Sequence, residues 1–191
     1  MSDGVSEVLG GLELMHVGSA VADIGESIAM HSALGFGPWA ESVPIDFTSY
    51  DGGVDAVVPQ RLRLAFGMMP GGLSIELVQP MSGSGPQARL LAARPGLNHL
   101  CYWVHDLPVR GRALLAAGGT VAAASSGAAG EWDRAGRPGG IGGLLDAVPT
   151  ATFRVGDGLL IELLSVSMWT GGGLQSFFGP EITAAVAPPT R

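Results

Sequence analysis

The chain has 191 residues and a formal net charge of −7, with 14% charged and 47% hydrophobic residues, a balance that suits one globular domain over 1–191 and excludes global disorder. All ten basic residues are Arg and they are scattered, so the clustered basic face needed for non-specific nucleic-acid binding is missing. The single Cys101 excludes an internal disulfide framework and a Cys-based zinc cluster, and no apolar run reaches the roughly 18–20 residues of a membrane span.

The first nine residues carry Asp3 and Glu7 and no basic segment, so the expectation is a cytoplasmic protein without a signal peptide. A β-prone run opens at His16 and closes at Asp23. Asp23 is placed to cap a helix over 24–34, and Gly35 to end it. Extended segments follow at 39–47, 61–68 and 73–78, where Arg61-Leu-Arg-Leu alternates as a half-buried strand does. Between them, Asp51-Gly-Gly-Val-Asp55 reads as a solvated turn. A linker at 81–86 leads to a short helix over 87–93.

The pattern then repeats. A strand opens at His99, Asp106 stands seven positions on as Asp23 does after His16, and a helix over 109–117 ends at Gly118 as the first ends at Gly35. Strands near 120–124, 150–155 and 159–164 complete it. Each half closes on the same tripeptide, Ile75-Glu76-Leu77 and Ile161-Glu162-Leu163, sixty and sixty-three positions after its His. The chain therefore reads as two βαβββ modules, over 12–80 and 96–166, giving an α+β fold. The second carries a long Gly-rich loop at 125–148, a candidate lid in which Trp132 faces a hydrophobic substrate and Arg134 or Arg137 an anion. Gly139-Gly-Ile-Gly-Gly143 lacks the pattern of a phosphate loop. An extension at 167–191 has no counterpart in the first half.

A Glu flanked by Ile and Leu is costly to bury without a partner. His16 and His99 occupy equivalent places on the two first strands, and Glu76 and Glu162 on the two last. A divalent cation shared by all four supplies that partner, and two imidazoles with two carboxylates suit Fe, Co, Ni, Mn or Zn. About two positions of an octahedral ion stay open for a bidentate small-molecule substrate. Cys101 and Trp103 share the face of His99 and are candidates to line the pocket. His31 is expected to face solvent, and His105, at the end of its strand, to lie at the surface or just behind the ligands.

His16-Val-Gly-x-x-Val-x-Asp23, Ser74-Ile-Glu76-Leu-Val-x-Pro80, Gly96-Leu-Asn-His99-Leu-x-Tyr-x-Val-x-Asp106 and Leu160-Ile-Glu162-Leu together resemble the vicinal oxygen chelate superfamily. That superfamily holds glyoxalase I, methylmalonyl-CoA epimerase, extradiol dioxygenases and bleomycin- and fosfomycin-resistance proteins, and the motifs are most similar to the epimerase branch. The resemblance implies sheets curled into an incomplete barrel around one metal, with His16, Glu76, His99 and Glu162 as ligands and a homodimer as the assembly. It implies a metal-dependent isomerase, epimerase or lyase that stabilises an enolate or enediolate of a small carbonyl compound, an acyl thioester or a specialised metabolite. Glu76 and Glu162 are then both ligand and base candidates. Two other readings remain open: a non-catalytic binding protein for a hydrophobic compound, and an Fe(II) extradiol-type dioxygenase, although a fourth ligand departs from the latter's two His and one Glu. In epimerases of this kind a second base precedes the fourth-ligand strand. The matching position here is Gln60, which takes no proton, so a one-base proton shift or an elimination fits better than two-base epimerisation. Gln60 remains a substrate-binding candidate, and Asp51 or Asp55 are the substitutes for the missing base.

Overall fold

The computed structural model describes residues 2–82, 84–128, 140–170, 178 and 180–188. Its strands are β1 (Leu14–Ala20), β2 (Trp39–Glu41), β3 (Ile45–Asp51), β4 (Ala56–Met68), β5 (Ser74–Ser82), β6 (Gly96–Val104), β7 (Thr120–Ala128), β8 (Thr150–Val155) and β9 (Leu159–Ser165). The helices are α1 (Ser2–Leu9), α2 (Ile24–Ala33), α3 (Pro86–Ala93), α4 (Leu107–Ala116), α5 (Gly140–Ala147), α6 (Ser167–Thr170) and α7 (Pro180–Val186). No helix among the described residues is long and apolar enough to cross a membrane.

Local chemistry fixes the helices of both modules alike. The Asp23 carboxylate accepts from the Glu26 backbone N–H at 2.8 Å, and Asp106 from that of Val109 at 2.9 Å. Gly35 and Gly118 follow with φ of 87° and 90°, the left-handed conformation that ends a helix at little cost only in Gly.

The strands form one mixed sheet. β1 and β6, the first strands of the modules, lie side by side and antiparallel, and each is flanked by the last strand of its own module, β5 or β9, in parallel. From there β4 and β3 continue on one side and β8 and β7 on the other. The β3–β7 ladder joins the two sides, so eight strands curl into a barrel while β2 pairs only with β4.

Side chains alternate across this wall. Ile75 and Leu77 of β5 point outward into an apolar cluster with Ile24 of α2, and Ile161 and Leu163 of β9 point outward among Leu107, Leu114 and Phe153. Each fully buried Leu, Ile or Phe there contributes about 1.5–3 kcal/mol. Glu76 and Glu162, one residue out of phase, consequently face the barrel interior. α1, which the sequence did not reveal, adds Val8 to the second module's cluster.

Several expected boundaries move. The extended run expected over 39–47 is broken into β2 and β3, with Pro44 between them. The long loop expected over 125–148 shrinks from both ends, because β7 runs on to Ala128 and α5 occupies Gly140–Ala147, where Leu144 and Leu145 are buried. Trp132, Arg134 and Arg137 lie outside the described residues. The described residues of the extension past residue 166 pack onto the barrel. Trp169, Phe178, Ile182 and Val186 form one apolar cluster with Met15, Phe66 and Trp103, and Phe66 meets Phe178 edge to face at 4.8 Å.

Candidate metal centre

The centre grows from the ladder at the heart of the barrel. Across β1 and β6, His99 stands opposite Gly18, and His16 opposite Cys101. Across the parallel pairs, Gly18 stands opposite Glu76 and Cys101 opposite Glu162. Gly18 and Cys101 are thus equivalent, and a pseudo-twofold relation carries each His–Glu pair onto the other.

Register irregularities aim both imidazoles. Leu14 and His16 oppose consecutive residues of β6, leaving Met15 as an extra residue in β1; Gly18 and Ser19 oppose His99 and Leu97, leaving Asn98 as an extra residue in β6. Each of the two His-bearing strands therefore has a bulge immediately before its His, a device that re-aims a side chain. The Ser74 hydroxyl donates to the carbonyl of Met15 at 2.6 Å and anchors the first bulge. At the second, the side chains of Asn98 and His99 meet, which neighbours in a regular strand do not do. Asn98 Oδ1 accepts from His99 Nδ1 at 2.7 Å, which leaves Nε2 free of its proton for a ligand.

Four side chains then converge. One ligand atom from each of His16, Glu76, His99 and Glu162 lies within 4.8 Å of every other. His16 Nε2 stands 3.3 Å from Glu76 Oε2, 3.6 Å from Glu162 Oε2 and 3.3 Å from His99 Nε2. His99 Nε2 stands 3.5 Å from Glu76 Oε2 and 3.1 Å from Glu162 Oε2. Donors bound at about 2.1 Å to one ion stand about 3.0 Å apart at octahedral right angles and about 3.4 Å apart in a tetrahedron, so the observed spacing fits a transition ion at the centre. His16 and His99 are buried, at 2% and 6% exposed.

The electrostatics without an ion follow from that crowding. Burial opposes charge on all four groups, but the opposite charges prevail. Glu162 and Glu76 raise His99 to about 10 and also raise His16. The imidazoles in turn hold Glu76 below and Glu162 well below the ordinary carboxylate value. Burial, followed by the charges of Glu162 and Glu76, pushes the Cys101 thiol well up, and its sulfur is not among the four ligand atoms that converge.

The two carboxylates differ. Glu162 Oε1 accepts from the Thr150 hydroxyl at 2.6 Å, which holds that side chain with Oε2 toward the imidazoles. Glu76 has no such anchor among the described residues. Thr150 carried no signal in the sequence; its role appears only when β8 lies against β9 with Thr150 in reach of Glu162.

A cavity of about 370 Å³ opens on the cluster. His16, Glu76 and Glu162 line it together with Gln60, Ser49, Gln87 and a largely apolar wall that includes Leu62, Leu64 and Phe66. Gln60 is therefore where a substrate contact was expected. Cys101 and Trp103 are not: Cys101 is fully buried, and the Trp103 indole N–H donates to the carbonyl of Val186 at 2.9 Å beneath the C-terminal helix. Both fill the core because the extension covers that end of β6. Asp51 departs from the solvated-turn expectation too, being 1% exposed and ion-paired with Arg89. Asp55 remains exposed and accepts from the Tyr50 hydroxyl at 2.8 Å. His31 is half-buried, with Nδ1 against the carbonyl of Ser27 at 2.7 Å and its ring edge-on to Phe36. His105 is exposed, as expected.

Comparison with known proteins agrees with this architecture. The family model described as glyoxalase/bleomycin resistance protein/dioxygenase superfamily matches residues 15–135, more than half of the chain. A hypothetical protein from Bacillus halodurans C-125 shares 19% identity over 81% of this chain and 94% of its own, with a TM-score of 0.51. Methylmalonyl-CoA epimerase from Mycobacterium tuberculosis is 24% identical over 80% of this chain and 86% of its own, with a TM-score of 0.48. A 4-hydroxymandelate synthase mutant from Streptomyces coelicolor is 18% identical over 81% of this chain and 48% of its own, with a TM-score of 0.49. None of the functionally curated proteins matches this sequence.

Proposed function

This chain belongs to the glyoxalase/bleomycin resistance protein/dioxygenase superfamily, and from that premise we propose that it is a metal-dependent isomerase or lyase that moves a proton on a small carbonyl substrate. The observation that carries the reading is the convergence of His16, Glu76, His99 and Glu162, one from each of four strands, at ligand spacing beside a largely apolar cavity. These four side chains would hold a divalent ion. When bound, such an ion polarises a carbonyl and its neighbouring oxygen and acidifies the adjacent C–H.

The chain's own groups divide the remaining work. With an ion bound, His16 and His99 would give up a proton and offer Nε2 to it, and Asn98, against Nδ1 of His99, would fix that ring's tautomer. Glu162 is the anchored ligand, because Thr150 holds its second oxygen. Glu76 is the freer carboxylate and serves as the general base, taking the substrate proton and returning it. The apolar wall of Leu62, Leu64 and Phe66 keeps water from competing for that proton. Only one carboxylate is available for the exchange, since Gln60 stands where a second base would be needed. The proton therefore returns from the side it left, which suits a shift between adjacent carbons or an elimination.

Metal analysis of the purified protein, combined with deuterium exchange from heavy water into an α-hydroxyketone, tests the reading. One tightly held transition ion per chain and exchange that stops on chelation are expected. A protein that takes up no ion, or an ion-loaded protein that never exchanges a substrate C–H, removes it.

A further inference from the structure

The two halves of the centre are not equally supported. His99 and Glu162, from the second module, are each held from behind: Asn98 Oδ1 accepts from His99 Nδ1 at 2.7 Å, and the Thr150 hydroxyl donates to Glu162 Oε1 at 2.6 Å. The first module differs. His16 Nδ1 is buried and has no hydrogen-bond partner among the described residues, and among them Glu76 meets only the two imidazoles.

The register shows the cause. Thr150 stands opposite Leu164, two positions past Glu162, and Leu64 stands opposite Val78, two positions past Glu76. Both side chains line the cavity. Leu64 is thus the counterpart of Thr150, and it has no donor to offer. Asn98 is the extra residue of the bulge in β6, and Met15 that of the bulge in β1. Met15 is thus the counterpart of Asn98, and it packs in the apolar cluster with Phe66 and Trp103. Each polar support of the second module therefore has an apolar side chain at the matching place of the first. Outer partners of this kind are worth about 10–100-fold in metal affinity, because they fix the ligand's orientation. A carboxylate tied through its second oxygen keeps the first aimed at the ion, whereas an untied one turns away at less cost.

We propose that the second module retains the ion while the first supplies the ligand that lets go, and that the difference between Leu64 and Thr150 decides which carboxylate does so. Leu64 and Thr150 are positioning residues in this scheme, since each acts through the Glu beside it. Putting the hydroxyl beside Glu76 and the apolar side chain beside Glu162 would exchange the roles of the two carboxylates. The inference rests on the metal-centred reading above and adds that the releasable ligand is chosen by its neighbour.

The test uses the full chain loaded with Co(II). Affinity is measured by competition with a chromophoric chelator, and turnover by deuterium exchange into α-hydroxyacetophenone. Glu162→Gln is expected to weaken cobalt binding at least about ten-fold more than Glu76→Gln does. In a background carrying Leu64→Thr and Thr150→Val together, that order is expected to reverse. Leu64→Thr alone, which adds a donor beside Glu76 and removes none, is expected to tighten cobalt binding about ten-fold and to slow deuterium exchange about ten-fold; it decides the matter should the double variant not fold. An order that stays as in the wild type, or a Leu64→Thr protein with unchanged cobalt affinity, overturns the inference and leaves the metal-centred reading standing. The expected reversal in a protein that never exchanges a substrate C–H removes the proton-transfer reading and leaves the division between the modules standing. A protein that takes up no cobalt overturns both.

Discussion

His99 lies over Gly18. The two residues face each other across β1 and β6, and a Cβ added at Gly18 would come within 1.8 Å of His99 Cε1 and 2.1 Å of Nε2. The imidazole occupies the space that any other residue would fill.

Gly18→Ala must therefore push the ring off the centre rather than merely crowd it. The expected outcome is a metal affinity lower by about 10–100-fold, as for loss of correct ligand orientation, with a stability loss of about 1–3 kcal/mol from overpacking. Competition with a chromophoric chelator, alongside thermal melting, checks it. Unchanged affinity would mean that His99 is not a ligand.

The hydrogen bonds behind the ligands offer a gentler perturbation. Asn98→Ala removes the acceptor from His99 Nδ1, and Thr150→Val removes the donor to Glu162 Oε1, both without touching the cluster. Each is expected to weaken metal binding by about ten-fold and to leave the fold intact. Affinity equal to wild type in both variants would argue that the ligands need no outer support.

The two carboxylates should separate on substitution. Glu76→Gln is expected to retain a metal ion and lose about 10²–10⁴-fold in substrate C–H exchange, the usual worth of a positioned base. Glu162→Gln should lose the ion itself. Metal content and exchange rate, measured on the same samples, distinguish this from the reverse assignment.

Stability should respond to pH in opposite senses with and without metal. In the metal-free protein, His99 is raised from 6.5 to about 10, so its contribution is complete below 6.5 and lost as pH rises through about 10. Glu76 and Glu162 are lowered from 4.5, so their contributions are complete above 4.5 and lost as pH falls below it. Maximum stability is expected between these two ordinary values. Metal displaces the imidazole protons, so the gain in melting temperature on loading should grow as pH rises. A loading effect independent of pH would exclude histidine ligation.

The duplication was legible because both modules keep their landmarks: the strand His, the capping Asp, the terminal Gly and the Ile-Glu-Leu strand. Periodicity alone then aims Glu76 and Glu162 inward. The bulges at Met15 and Asn98 left no mark, since an extra residue is defined only against the partner strand. Thr150 and Ser74 were hidden for the same reason, as their roles depend on which strand lies next to which. Cys101 and Trp103 misled because sharing a face with His99 says nothing of what covers the far end of that face; here it is Trp169, Phe178, Ile182 and Val186.

Two extra residues, one beside each imidazole, set the phase of the strands that meet at the middle of the molecule. Because side chains alternate every second position, loss of either Met15 or Asn98 alone would exchange inside for outside along part of its strand. A single codon deleted at either place would thus silence the centre while most of the barrel's backbone pairing survived. Relatives that share this scaffold but bind no ion can arise by so short a route, without any ligand having mutated.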